Sequence, residues 1–518
     1  MTEKVTNYVE LHAASAFSFL EAASQPEDLI ARAQELEIPS IALLDRNGFY
    51  GSARMHTSGE RNSIRAHVGA EISISAFGPR LTPPAWLPPP QFFEKNLAPA
   101  RLPLLCHSRT GYQNLCQLIT QFKMREPTKA EGAATHDDLA QYSEGLICLT
   151  GGDEGPLASA LTTGGEPAAR ALLEQLTRLY GPNNVYVELQ RHHEREEEAR
   201  NQAALRLARS LQLPVVATNG VRYAQPRDRE ILDLFTSIRH HVDLDHAGRL
   251  LALNSHRHLR SAAAMSALFR DIPDAIANTH EISQRLAFQL NDLGYEFPHY
   301  PVPDGETMDS FLRKRTDEGV LRRYGPKNDP ALLARARKQI DHELALIAKL
   351  GFAGYFLIVW DIVQYCKRND ILIQGRGSAA NSAVCYALEI TAIDPVGMEL
   401  LFERFLSENR GEWPDIDLDL PSEEKREQAI QYVYQRYGEL GAAMTANVIT
   451  YRGKSAAREV GKALGFDQES LGRLTSLVSQ WEWRGESDTM ANSFHHAGFD
   501  VEHPRIAKYL ELCVRLQD

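Results

Sequence analysis

Several things are scarce in this chain, and each scarcity excludes something. There is no excess of basic residues: 56 Lys and Arg face 68 Asp and Glu, a net charge of −12. A cationic surface over the whole chain is therefore excluded, although a local basic groove for nucleic acid is not. Long apolar runs are missing too. The stretch 350–360 (LGFAGYFLIVW) is short of the ~20 residues that cross a bilayer, so no membrane span is expected. Cysteine is sparse: Cys106, Cys116, Cys148, Cys366, Cys385 and Cys513 are scattered, with no CxxC pair. That pattern argues against a disulfide framework or a zinc ribbon and fits a reducing cytoplasm. The opening MTEKVTNYVE has neither the basic nor the apolar region of a secretory signal. Internal repeats and low-complexity tails are likewise lacking. What remains is an ordinary globular composition, 43% hydrophobic and 24% charged over 518 residues. That length accommodates about three domains.

Over the first 230 or so residues, short apolar runs alternate with amphipathic stretches. Strands are expected at Tyr8–Leu11, Ser40–Leu44, Ala66–Ile74, Leu102–Cys106, Gly145–Thr150, Val185–Gln190 and Pro214–Thr218. Helical spacing of Leu29, Ile30, Ala33 and Leu36 predicts a helix over Pro26–Leu36, and a similar pattern predicts one over Ala199–Leu211. About seven β-α units imply a parallel sheet or a barrel. Pro79, Pro83, Pro84, Pro88, Pro89, Pro90, Pro99 and Pro103 crowd one insertion, which reads as a surface loop. Further on, FPHYPVPDGETM (297–308) reads as a linker, and a long helix is expected from Pro330 to Leu350.

Three signals in the second half carry chemistry. Ile371–Gln374 runs into GRGSAANS (375–382) and then a helical stretch, 383–390. Glycines let the backbone approach a phosphate, helix-start amides favour an anion, and Arg376 adds a charged fork. A tight turn that only links strand to helix is an equally open reading. In PDIDLDL (414–420), Asp415, Asp417 and Asp419 alternate with apolar residues, so on a strand the three carboxylates share one face. Like charges on one face repel, and divalent metal for phosphoryl transfer would account for them. An edge strand with a solvated acidic face stands beside that reading. The two signals together say more than either alone. Lys454, Arg458 and Lys462 recur every fourth residue, with Arg452 just ahead. On a helix they form a stripe that could track a nucleic-acid backbone, or a plain solvated face.

Together GFAGYFLIVWDIV (351–363), GRGSAANS (375–382), LLFERFL (400–406) and PDIDLD (414–419) resemble the palm of bacterial C-family DNA polymerases, the polymerase III alpha subunits. YVELHAASAFSFLEAAS, PSIALLDRNGFYG and FPHYPVPDGET resemble the error-prone, ImuC-type branch. The resemblance covers essentially the whole chain. It implies an α/β multidomain protein: a PHP-type β/α barrel (1–235), a helical connector and Pro-rich linker (236–305), a polymerase-beta-like nucleotidyltransferase palm (306–440) and a helical thumb (441–518). Asp415 and Asp417 match the first two catalytic, Mg²⁺-holding aspartates. Gly377 and Ser378 match the pair that holds the incoming triphosphate, with Arg376 and Arg410 as phosphate contacts. Arg452, Lys454, Arg458 and Lys462 would lie against duplex DNA. The implied substrates are primer-template DNA and dNTPs, and the implied partners are a sliding clamp and mutasome proteins.

Against the PHP pattern the barrel is degenerate. Glu10-Leu11-His12 stands where relatives have His-x-His, Ala14 replaces a further His, Asp45-Arg46 replaces Asp-His, and Gly220-Val221-Arg222 replaces Asp-x-His. Glu10, His12, Asp45, Glu71 and His192 remain. An arginine at a ligand position puts fixed positive charge where a cation would sit, so a structural barrel without a PHP-site metal is expected. The family's third catalytic carboxylate lies beyond the segment matched here, so the chain is expected to extend primers poorly on its own. A non-catalytic DNA- or partner-binding fragment and a PHP-type metal-dependent phosphoesterase are the alternative readings.

Overall fold

A computed structural model describes residues 8–79, 99–126, 132–293, 298–327, 329–407, 414–438, 441–477 and 498–517. Packing divides the chain into two compact units, residues 1–293 with 449–518, and residues 294–448. The sequence suggested four successive segments; packing groups 236–293 and 449–517 with the barrel.

The first unit is built on a seven-stranded sheet in sequence order. Its strands are β1 (Glu10–Ala13), β2 (Ser40–Arg46), β3 (Arg65–Pro79), β4 (Pro99–Cys106), β5 (Leu146–Leu149), β6 (Val185–Leu189) and β7 (Val215–Ala217). These match the expected runs to within a few residues at their ends. Most of their described side chains are buried whichever way they point, so the strands read as continuous apolar runs without alternation. Between them lie the helices Pro26–Glu35 and Glu197–Leu211, as expected, among others.

The sheet is mixed, not parallel. β1–β2–β3 and β5–β6–β7 pair in parallel, while β4 runs antiparallel to both neighbours. A parallel return needs a crossover of a dozen or more residues, usually helical. Between β3 and β4 the return is antiparallel. The expectation of a loop across all the prolines is corrected at its ends. Pro79 and Pro99 pair across β3 and β4, and Pro103 lies within β4 opposite Glu71. Pro83, Pro84 and Pro88 to Pro90 lie outside the described residues. Pro103 precedes the first β4–β5 pair, Leu104 with Cys148, so its missing N–H breaks no bond there. The edges of the sheet meet just past β7, where Val221 bridges Ala13 in parallel. Val221 N–H donates to His12 O and Ala14 N–H to Val221 O, both at 2.9 Å. That contact brings the two edge strands together.

The Arg229–His240 helix carries Ile231, Leu234 and Phe235 into a core shared with Ala456, Val460, Tyr509 and Leu512. Residues 449–477 and 498–517 are thereby docked within this first unit.

The second unit packs the helices Met308–Tyr324, Pro330–Lys349 and Ala353–Arg368 around Phe356, Leu357, Val384, Phe402 and Phe405. On this layer lies a two-stranded antiparallel sheet, β8 (Gln374–Arg376) and β9 (Asp417–Asp419). The expected strand Ile371–Gln374 therefore begins three residues later. The expected helical run 383–390 is a five-residue helix, Ala383–Ala387. No single helix among the described residues is long and apolar enough to cross a membrane.

Candidate active site

β8 and β9 bring the two strongest sequence signals together. The register pairs Gln374 with Asp419, Gly375 with Leu418 and Arg376 with Asp417. Period-two alternation holds through this segment. Asp415, Asp417 and Asp419 are exposed, while Ile416 and Leu418 turn toward the core. Apolar burial of the even-numbered positions thus forces the carboxylates onto one outer face. Arg376 Nε lies 2.9 Å from Asp419 Oδ1, which neutralises the third aspartate. Asp415 and Asp417 make no side-chain ion pair or hydrogen bond among the described residues.

The turn after β8 is shaped by backbone requirements. Gly375 N–H donates to Ile390 O at 2.7 Å, and a Cβ at Gly375 would come within 2.6 Å of that oxygen. Gly377 has φ +71°, a conformation that disfavours any side chain, and a Cβ there would lie 3.8 Å from Asp417 Oδ2. The Gly377-Ser378 pair thus sits beside the acidic face. Ser378 is half-buried and its carbonyl accepts from Asn381 Nδ2 at 2.9 Å, closing the turn. Arg410 lies outside the described residues.

Two supporting residues escaped the sequence reading. Tyr355 Oη accepts from Ile416 N–H at 2.9 Å, between Asp415 and Asp417. Glu343 is fully buried and accepts from Ser382 Oγ (2.7 Å), Ala383 N–H, Val384 N–H and Gln339 Nε2 (3.0 Å each). Burial pushes its carboxyl up, against those donors. A signal for Glu343 was present: it shares the buried stripe of Ile340, Leu344 and Ile347, where a charge needs a reason.

The barrel residues singled out from sequence do not converge on one point. His12 Nδ1 lies 2.7 Å from Glu188 Oε1 and its Nε2 3.2 Å from Glu71 Oε1. Burial pushes His12 down, but the two carboxylates outweigh it and hold the imidazole up to about 10. Glu10 accepts from Tyr8 Oη (2.6 Å), His12 N–H and Asn219 N–H (2.9 Å each), and burial raises it to about 7. Asp45 accepts from Ser15 N–H (2.8 Å), from the Ser15 and Ser18 hydroxyls (2.9 Å) and from Gly51 N–H (3.2 Å); burial raises it to about 6. His192 is committed to Glu197 and to Asn219 O, both at 2.8 Å. Among the described residues no three His, Cys, Asp or Glu side chains are arranged to hold one metal ion. Arg101 and Glu188 were missed, although a lone charge inside ARLPLL or VYVEL is a legible anomaly.

The basic residues are placed as a stripe. The helix Gly453–Ala463 buries Ala456, Ala457 and Val460, while Arg452, Lys454, Arg458 and Lys462 are exposed. Lys462 is paired with Glu459 at 2.7 Å.

Residues 10–192 match the PHP domain family, and residues 310–518 match the family described as the bacterial DNA polymerase III alpha NTPase domain. Among curated proteins, the chain is 41% identical over 506 residues to an error-prone DNA polymerase of Nocardia farcinica, covering 92% of this chain and 44% of that protein. It is 42% identical over 482 residues to one from Mycolicibacterium paratuberculosis, covering 93% of this chain and 42% of that protein. An error-prone DNA polymerase of Brucella abortus is 37% identical over 512 residues, covering 98% of this chain and 44% of that protein. The chain thus spans less than half the length of the curated relatives it matches. Among solved structures, an amidohydrolase from Chromobacterium violaceum shares 13% identity, covering 42% of this chain and 87% of that one, at a TM-score of 0.27, a likeness too slight to carry an argument.

Proposed function

From a chain that carries a PHP domain followed by a bacterial DNA polymerase III alpha NTPase domain, we propose a portion of an error-prone DNA-directed DNA polymerase. Its reaction is template-directed nucleotidyl transfer from a dNTP to a primer 3′-hydroxyl, in damage-induced mutagenesis and translesion synthesis. The observation that carries this reading is the β8–β9 pairing, which sets the Gly377 turn beside Asp417. Asp415 and Asp417 would hold divalent cations, Mg²⁺ in this reading, which when bound stabilise the charge on the transferring phosphoryl group. The donor set suits hard cations: two exposed carboxylates with oxygens not spent on protein donors among the described residues. Arg376 is tethered through Nε to Asp419. Its terminal nitrogens would face the triphosphate, and Gly377 and Ser378 would admit it close to the backbone. Arg410 is proposed as a further phosphate contact.

Arg452, Lys454, Arg458 and Lys462 would follow the duplex phosphates. A sliding clamp and mutasome proteins are the proposed partners, and the cytoplasm is the proposed location. The test is primer extension by the full-length gene product. Asp415→Ala and Asp417→Ala are each expected to abolish extension without lowering the unfolding midpoint, since both side chains are exposed. Extension at the parental rate by either variant overturns the assignment.

A further inference from the structure

We infer that the polar centre of the barrel is closed by Arg101, a cation built into the chain that stands in for a divalent ion. This rests on the barrel alone and not on the polymerase reading. Arg101 lies on β4 with its side chain 5% exposed. Its Nη2 donates to Glu21 Oε1 at 2.9 Å and its Nη1 lies 2.8 Å from Glu21 Oε2, a two-point carboxylate pair. The same Nη1 lies 2.8 Å from Glu154 Oε2 and 3.5 Å from Glu71 Oε2. One guanidinium therefore gathers three carboxylates from separate parts of the chain, as a metal ion would.

The surrounding charges leave no room for a second cation. Glu21 also receives Arg46 and, at 2.6 Å, Arg239. Glu154 also receives Arg222 at 2.8 Å. Arg46 and Arg222 are the residues that stand where the family pattern has metal-binding histidines, and both are turned onto the acids that Arg101 holds. Glu71 and Glu188 share His12. Glu21, Glu71, Glu154 and Glu188 thus face Arg46, Arg101, Arg222, Arg239 and the His12 imidazole, cations that at least match them in number before any ion is added. A guanidinium cannot shed its proton to make way for a metal. A buried dication would carry uncompensated charge, and Glu21, Glu71 and Glu154 each already face the Arg101 guanidinium. Asp45 and His192 are engaged elsewhere, with Ser15, Ser18 and Glu197.

The test uses the 518-residue chain with Asp415→Asn and Asp417→Asn, so that metal uptake reports on the barrel. Mn²⁺ alone is the probe. In this background the protein is expected to retain no stoichiometric Mn²⁺ after desalting, and neither EDTA nor Mn²⁺ should move its unfolding midpoint. Adding Arg101→Ala leaves Glu21 and Glu71, both buried, and the partly buried Glu154 without their shared cation. That is expected to lower the midpoint by roughly 10 °C, and Mn²⁺ is expected to restore part of the loss. Where Arg101→Ala does not fold, Arg101→Gln, neutral and closer in size, is put through the same comparison. Arg101→Lys keeps a charge and is expected to stay insensitive to Mn²⁺. Three results would overturn the inference: stoichiometric Mn²⁺ in the parent that is lost with Glu71→Gln, a neutral Arg101 variant as stable as the parent, or a destabilised variant that Mn²⁺ leaves unmoved.

Discussion

Replacing Glu343 by alanine probes how the Gly-Ser turn is held. The carboxylate lies in the helical core and accepts from Ser382 Oγ, two backbone N–H groups and Gln339. Hydrogen bonds to a charged group contribute about 1.5–3 kcal/mol each, so the gross interaction is on the order of 6–12 kcal/mol. Against it stands the cost of burying an ionised carboxylate, several kcal/mol, whose trace is the raised carboxyl of Glu343. Alanine removes both terms. What it leaves are the Ala383 and Val384 N–H groups without acceptors, at about 1–3 kcal/mol each, and a small cavity. The net loss should be about 4 kcal/mol. Urea denaturation followed by circular dichroism measures it, with Glu343→Gln expected near half that value because the amide keeps one acceptor. A loss below about 1 kcal/mol for the alanine variant would refute the reasoning. It would mean that the desolvation cost cancels the bonds and that Glu343 does not secure the turn.

Further perturbations test other parts. His67 is buried with its Nε2 2.7 Å from Ser283 Oγ, and burial with nearby Arg65 pushes it down to about 3. The unfolded chain therefore binds the extra proton first: the stability this histidine contributes is complete above about pH 6.5 and falls by up to about 1.4 kcal/mol per pH unit between there and pH 3. Glu10 and Asp45, raised by burial, slope the opposite way over much of that range. The check is thus the difference between parent and His67→Gln; identical pH slopes between pH 6.5 and 4.5 would count against it. Gly377→Ala places a side chain at φ +71° and should cost about 1 kcal/mol; dNTP affinity of the full-length protein is expected to fall with it, and unchanged affinity would separate the turn from nucleotide binding. Arg458→Ala or Lys454→Ala should weaken duplex binding across sequences alike and lower the salt slope by about one each, read by fluorescence anisotropy at several salt concentrations. An unchanged slope returns the stripe to an ordinary solvated face.

Much of this was legible without coordinates, for reasons that are local. Buried strands such as Ser40–Arg46 and Val185–Leu189 announce themselves as short apolar runs, because both faces are covered. The Pro26–Glu35 and Pro330–Lys349 helices carry their periodicity and their start signals on the chain. The outward face of Asp415, Asp417 and Asp419 follows from period-two alternation alone, since Ile416 and Leu418 must point to the core. Strand direction was not legible in the same way. Apolar content says that β4 is buried, but not that it runs against both neighbours, which depends on what the connections can span.

What only the tertiary structure decided is which charges meet. Motif matching drew Glu10, His12, Asp45, Glu71 and His192 together as one degenerate site, yet their partners differ, some a few residues away and others far along the chain. Asp45 is held by Ser15 and Ser18, His192 by Glu197, and Glu71 by His12 and Arg101. Arg101 lies eighty residues from Glu21 and fifty-three from Glu154. A charge inside an apolar strand shows in the sequence as an anomaly; its sign partner does not. Secondary structure is set by period and propensity within a few residues. Coulombic pairing in a buried centre is set by how strands and helices far apart along the chain are folded against one another.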